Sequence, residues 1–276
     1  MFRKIARKAG LGRALLKVRQ RWNTHKKQRW ELLNDERLSA LTGKHKGEDA
    51  VIIGMGPSLK VEDLDKFQKM ASFACNKIFL AYSKTLWRPN YYSVIDILVA
   101  ENNKDEILNA DHGNSLPIHS ETTWDLLKTQ RNALCYKYKG SIADWNYGAP
   151  AIMNESLASG ILAYGYTVLV DQIQIAYAMG FKSVYLVGVD FSFSGGMKTS
   201  EKCASGEVLI SNGELNHFHK DYRKPGEKWT VPKMEEQRHA FAFCRAAFER
   251  DGRKLINASK KSELDVLEKI EFDKIF

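Results

Sequence analysis

Apolar and polar positions along the chain alternate in a regular way from residue 49 onward. Ala50-Val-Ile-Ile53 is a short apolar run, bounded by Asp49 and by glycine, and it predicts a buried strand. Gly54-Met-Gly-Pro-Ser58 then predicts a turn, and a helix is expected from about Val61 to Lys69. Further strands are expected at Ser72–Asn76, Tyr91–Asp96, Leu116–His119, Ala133–Tyr138, Ser183–Asp190 and Lys254–Asn257. Helices are expected at Ile97–Asn109, around Thr122–Thr129, at Thr167–Met179 with Gly180 as its stop, and at Pro232–Arg250. Strands alternating with helices predict an α/β fold with a doubly wound, mostly parallel sheet.

In such sheets ligands sit beyond the carboxyl ends of the strands. The Gly54–Ser58 turn, Asn76, Asp96 and Asp190 all fall at such ends. Gly54 and Gly56 permit close approach to the main chain. Ser58 is a candidate helix cap with a free hydroxyl, and the turn amides suit an anionic ligand such as a phosphate. The pattern is neither G-x-G-x-x-G nor a Walker loop, because no Lys-Ser/Thr pair follows the glycines.

Phe191–Val231 breaks the alternation with a glycine-rich polar stretch, which predicts a long lid loop. It contains Asn216-His-Phe-His-Lys-Asp-Tyr222. His217 and His219 suit a general base. No further ligand pattern accompanies them, so no metal is expected. His112, His119 and His239 are read as structural.

The length of 276 residues suits one large domain or one domain with a small appendage. The net charge of +9 is concentrated at the front. Residues 1–30 carry eleven lysines and arginines and no acid, leaving −2 for the remainder. Phe2, Ile5, Ala9, Leu15, Leu16 and Trp22 fall on one helical stripe. A basic amphipathic helix of this kind can lie on an anionic membrane surface. It has no apolar central region and is not a signal peptide. No aromatic platform accompanies the basic run, so nucleic acid is not an expected partner. Glu31–Gly47 reads as a polar connector, so residues 1–46 are expected to form the segment and connector and 47–276 the α/β domain. Cys75, Cys135, Cys203 and Cys244 lack metal or redox spacing, as in a reduced, cytoplasmic protein held peripherally at the inner membrane face.

Four motifs carry a resemblance: Val51-Ile-Ile-Gly-Met-Gly-Pro-Ser-Leu59, Cys75-Asn76, Tyr92-Ser-Val-Ile-Asp96, and Met179-Gly-Phe-Lys-Ser-Val-Tyr-Leu-Val-Gly-Val-Asp-Phe191. In order and spacing they resemble the bacterial CMP-sialic-acid transferases. They also resemble the related domain of flagellin-modifying Maf proteins and of archaeal 6-hydroxymethylpterin diphosphokinases. The resemblance implies a Rossmann-like variant of the GT-A fold over roughly residues 50–258, a CMP-sugar donor, and no metal cofactor. It implies that Gly54, Gly56, Pro57 and Ser58 approach the nucleotide phosphate and ribose. Asn76 and Asp96 would contact the nucleotide, Thr167 its cytidine side, and Asp190 would stand at the Gly-Ile-Asp aspartate. A lid histidine would take the acceptor proton. In the mechanism expected from these residues, the turn amides, the Tyr222 hydroxyl and lysines such as Lys220 stabilise the leaving phosphate. Met55 stands where the transferases carry asparagine, and Val168-Leu169 where they carry Ser-Gly.

The implied activity is transfer of a sialic-type nonulosonate or Kdo to a surface glycan. A pterin-alcohol diphosphokinase using Mg-ATP, or a non-catalytic nucleotide-binding subunit at the membrane, are the alternative expectations.

Overall fold

The computed structural model describes residues 30–142, 151–193, 197–203, 206–211, 213 and 216–276. The basic stripe expected over residues 1–29 lies outside them.

The centre of the molecule is a sheet of nine strands in which every neighbouring pair is parallel. In chain order they are β1 (Asp49–Ile53), β2 (Ala71–Cys75), β3 (Tyr91–Ser93), β4 (Leu116–Ser120), β5 (Leu134–Ser141), β6 (Ile161–Tyr164), β7 (Ser183–Val187), β11 (Lys254–Asn257) and β12 (Glu268–Lys269). The spatial order is β12-β11-β7-β1-β2-β3-β4-β5-β6. The chain therefore runs outward from β1 to β6, then returns to the other side of β1. That reversal is the topological switch point, between β1 and β7.

Strand β1 shows why the apolar run must be a central strand. Ala50 and Ile52 join the core on one face, and Val51 and Ile53 the core on the other. Alternate side chains of a strand point to opposite faces, so an all-apolar run needs cover on both. One face is covered by α5 (Ala151–Ser159), α6 (Val168–Met179) and α7 (Met234–Arg250), with Leu157, Ile173 and Phe248 among the buried contacts. On the other face, α2 (Ile97–Asn102), α3 (Lys104–Asn109) and α4 (Trp124–Leu127) contribute Ala100, Ile107 and Leu127.

Several expectations change in detail. The helix after the glycine turn is a 3-10 helix over Val61–Phe67. The expected single helix from Ile97 to Asn109 is two short ones, because Asn103 leaves helical geometry at φ −131°. Helix α5 and strand β6 were not expected. Residues 31–47 are not a loose connector. A helix α1 over residues 30–39 sets Leu38 and Asn34 into the core, and Asn34 exchanges two 2.8 Å hydrogen bonds with the Cys135 backbone of β5. The Gly43, His45 and Gly47 amides then donate to the end of α6, at Ala178, Met179 and Gly180.

The lid is not a plain loop either. It holds β8 (Met197–Cys203), β9 (Gly206–Ile210) and β10 (Lys228–Thr230), an antiparallel sheet in the order β10-β9-β8. Cys75, Cys135 and Cys244 are buried free thiols.

Candidate functional site

The carboxyl ends of β1, β2, β3, β6 and β7 open into one cleft, roofed by lid residues between Asn216 and Val231 and by Pro232 and Lys233 at the start of α7. It has two adjoining chambers of about 220 and 200 Å³. Asn76, Thr167, His217, Tyr222 and Arg223 line both. Asp96 lines the first chamber, and Gly56 and Asp190 the second. Residues far apart in sequence are thus brought together at the switch point.

The glycine turn is built for packing against β7. The amides of Gly54 and Gly56 donate to Val187 O (2.7 Å) and Gly188 O (2.8 Å). A Cβ on Gly54 would lie 2.5 Å from Gly188 O, and one on Gly56 would fall on the Asp190 carboxylate. The Ser58 backbone amide and hydroxyl both donate to Asp190 Oδ2, at 3.2 and 2.9 Å. Burial raises the Asp190 carboxyl above its usual range, and the two bonds from Ser58 oppose that shift. This corrects two expectations. Ser58 is neither a helix cap nor a free hydroxyl, and the amides of Gly54, Gly56 and Ser58 are already used by protein acceptors. Gly54, Pro57 and Ser58 do not line either chamber.

Asn76 does face the cleft. It holds a left-handed backbone, φ 47°, pinned by the Tyr92 hydroxyl on its carbonyl (2.5 Å) and by its own amide on Ser93 O (3.1 Å). Left-handed geometry is uncommon outside glycine, and asparagine tolerates it best. Of the four described non-glycine residues with positive φ, Asn76, Tyr166 and Phe191 line the cleft. Strained backbone of this kind gathers at ligand sites. Buried Asn76 Oδ1, Asn103 Oδ1 and Trp229 Nε1 have no hydrogen-bonding partner among the described residues, and all three belong to residues of the first chamber. Buried polar atoms are normally paired, so a cluster of exceptions marks a place where a ligand can supply the partner.

Asp96 caps α2, accepting from Leu98 N at 2.9 Å, and burial raises its carboxyl. Thr167 caps α6, its hydroxyl accepting from Leu169 N at 3.4 Å. The positive end of that helix consequently faces the cleft.

The two lid histidines separate. His217 lines both chambers and stacks on Tyr222, with ring centroids 3.8 Å apart and planes 6° from parallel. His219 lines neither; its Nδ1 accepts from Asp221 N at 3.2 Å in a turn. Tyr222 is buried, bonded by the Asn76 side chain and the Lys77 backbone amide. It therefore anchors the lid rather than offering a loose hydroxyl. Phe218 N donates to Met55 O at 2.9 Å, tying the lid to the glycine turn.

Sequence reasoning missed Lys77, Arg223, Glu227 and Trp229, which line the first chamber. Lys77 is 3% exposed and meets Glu227 at 3.4 Å; burial lowers its ammonium pKa. The Arg223 guanidinium lies 3.9 Å over the Trp229 ring. The available signal was the position of Lys77, directly after Asn76 at a strand end. His119 is structural, as expected: it is fully buried, accepts from Val94 N and donates to Gln130, and burial lowers its pKa to about 4.

Fold and cleft together define a Rossmann-like α/β protein with a covered site at its switch point. Residues 26–196 match the family described as 6-hydroxymethylpterin diphosphokinase MptE-like, and over more than half its length the chain belongs to that family. The match ends before His217 and Tyr222. Among solved structures, the chain is similar to the Maf glycosyltransferase from Magnetospirillum magneticum AMB-1, at 16% identity and a TM-score of 0.47. That likeness covers 86% of this chain but 38% of the other. It is also similar to the sialyltransferase CstII from Campylobacter jejuni in complex with cytidine-5'-monophosphate, at 15% identity and TM-score 0.46, covering 82% and 85% of the two chains. A second structure of CstII, with CMP-3FNeuAc, matches at 17% identity and TM-score 0.42 over 80% and 84%. No curated protein matches the sequence.

Proposed function

We propose that the protein is a glycosyltransferase that moves an acidic sugar, a sialic-type nonulosonate or Kdo, from a CMP donor to a surface-glycan acceptor without a metal. One observation carries the reading. Asn76, Asp96 and Thr167, named by the motif resemblance, surround one cleft with the candidate base His217, with Tyr222 and with the cations Lys77 and Arg223.

In the reaction, His217 accepts the proton of the acceptor hydroxyl, and the acceptor oxygen attacks the anomeric carbon. The bond from that carbon to the phosphate oxygen breaks, and CMP leaves with the electron pair. Arg223, Lys77 and the N-terminal end of α6 supply fixed positive potential for the departing phosphate. Tyr222 orients His217 by stacking and closes the lid onto Asn76. Gly54, Gly56, Pro57, Ser58 and Asp190 shape the adjoining turn.

Membership in the diphosphokinase-like family favours a second reading, transfer of diphosphate from Mg-ATP to a pterin-like alcohol. Thermal unfolding separates the two. With a chelator present, millimolar CMP is expected to raise the melting temperature, because a ligand of the native state stabilises by mass action. A shift with Mg-ATP and none with CMP would reverse the order of the two readings. Tight CMP binding without turnover on any acceptor would leave a nucleotide-binding subunit. Residues 1–30 are proposed to hold the protein on an anionic membrane at the cytoplasmic face, where acceptor glycans on lipid carriers are accessible. No described helix is long and apolar enough to cross a membrane.

A further inference from the structure

Lys77 is an unusual residue to find where it is. It is the one lysine or arginine in the buried set among the described residues. Burying an ammonium is costly unless a counter-charge comes with it. Here the counter-charge comes from the lid, as Glu227 Oε1 at 3.4 Å. Glu227 ends a tight turn, Lys224-Pro225-Gly226-Glu227, closed by its own amide on Lys224 O at 3.1 Å. Gly226 has φ 87°, the geometry that a Pro-Gly turn supplies at its third residue. The turn leads straight into β10, which carries Trp229.

The pair is not close. Charge-assisted bonds are normally about 2.7–2.9 Å. Both side chains line the first chamber, beside the unpartnered Asn76 Oδ1, Asn103 Oδ1 and Trp229 Nε1. The chamber thus combines room, polar groups unmet among the described residues, and a cation whose partner belongs to a turn of the roof rather than to the sheet. We propose that Lys77 is the phosphate-binding lysine of the cleft and that Glu227 is its internal placeholder. The carboxylate neutralises Lys77 until a ligand phosphate takes over the ammonium, and Glu227 then withdraws with the lid turn. This rests on the reading that the cleft takes a phosphorylated ligand, but not on which nucleotide it is.

The test uses the full chain and titration calorimetry with pyrophosphate, CMP and cytidine. A placeholder that occupies the site most of the time weakens apparent affinity in proportion, so Glu227→Gln is expected to bind pyrophosphate and CMP about three- to tenfold more tightly. Cytidine, lacking phosphate, should be unaffected. Lys77→Met combined with Glu227→Gln removes both charges and should abolish the gain. Where Glu227→Gln alone folds poorly around an unpaired lysine, Glu227→Asp is expected to show a smaller gain in the same direction. Pyrophosphate binding that is absent, or no tighter in both Glu227 variants than in wild type, overturns the proposal. An equal gain for cytidine overturns it as well. A pyrophosphate gain with no CMP binding by any variant would sustain the placeholder and sink the CMP reading.

Discussion

Asp190 and Ser58 are joined by two hydrogen bonds to a single carboxylate oxygen, 132 positions apart in sequence. They lock the turn after β1 to the loop after β7, across the switch point. Gly56 sits inside this clamp, where any Cβ would meet both the Asp190 carboxylate and, at 2.7 Å, the Gly188 carbonyl.

Asp190→Ala should therefore cost about 1–3 kcal/mol, since it removes two hydrogen bonds from the half-buried Ser58 to a carboxylate. Gly56→Ala should cost about as much through overpacking. Combining them should recover only part of the Gly56 loss, since the Gly188 carbonyl remains in the way. Urea midpoints of the three variants measure this. An unchanged midpoint for Asp190→Ala would show that the clamp carries no stability.

The pair also shows what could be read in advance. The sheet was legible because its two central strands β1 and β7 carry apolar runs of four residues, each closed by glycine. The positions Asn76, Asp96 and Asp190 followed from the rule that ligands lie at strand carboxyl ends, and Thr167 from the motif resemblance. The purpose of Gly54 and Gly56 was not legible, because the atoms that exclude a side chain there belong to residues 188–190. Strand β8, Met-Lys-Thr-Ser-Glu-Lys-Cys, has no apolar alternation and read as loop. Helix α1 hid its buried Asn34 and Leu38 among charges. The sequence carried no sign that Lys77 is buried, since its burial depends on a lid residue 150 positions away.

A buried carboxyl on α6 supplies a pH prediction. Asp171 accepts from the hydroxyls of Tyr136, at 2.5 Å, and Tyr138. Burial lifts it to about 7, against an ordinary 3.8. Between those values the folded state holds a proton that the unfolded chain has released, so this group's contribution to stability falls as pH rises. Asp171→Asn cannot ionise. Its stability relative to wild type should thus improve from about pH 4 to pH 7 and level off above. Denaturant curves across that range check it, and a flat difference would mean that Asp171 titrates normally.

The basic arm makes a separable prediction. Removing residues 1–29 leaves α1 intact from Trp30, whose ring packs 4.8 Å from Trp124. The truncated protein should fold with its melting temperature nearly unchanged. Its binding to anionic vesicles should weaken sharply, since each cation near such a surface contributes up to about 1 kcal/mol. Added salt should narrow the difference between the two proteins, as screening requires. Equal vesicle sedimentation of full-length and truncated chains would rule the arm out as an anchor.

The two lid histidines offer the sharpest test of the catalytic assignment, because they share a loop and differ in surroundings. His217 lies against both chambers and is held by its stack on Tyr222, which is itself fixed to Asn76. A base must reach the proton it removes, and only a residue facing the cleft can do so. His219 is turned into the loop, its Nδ1 occupied by the Asp221 amide. His217→Ala should lower turnover by roughly 10²–10⁴-fold, the range of general-base catalysis. His219→Ala should cost far less, and its effect should appear as a modest loss of stability from the broken turn. CMP affinity should change little in either variant, since the base faces the acceptor rather than the nucleotide. His217→Phe adds a control: it keeps a ring to stack on Tyr222 and removes the nitrogen atoms. If His217→Phe restores the turnover lost in His217→Ala, the ring serves only to hold Tyr222, and the proton must go elsewhere.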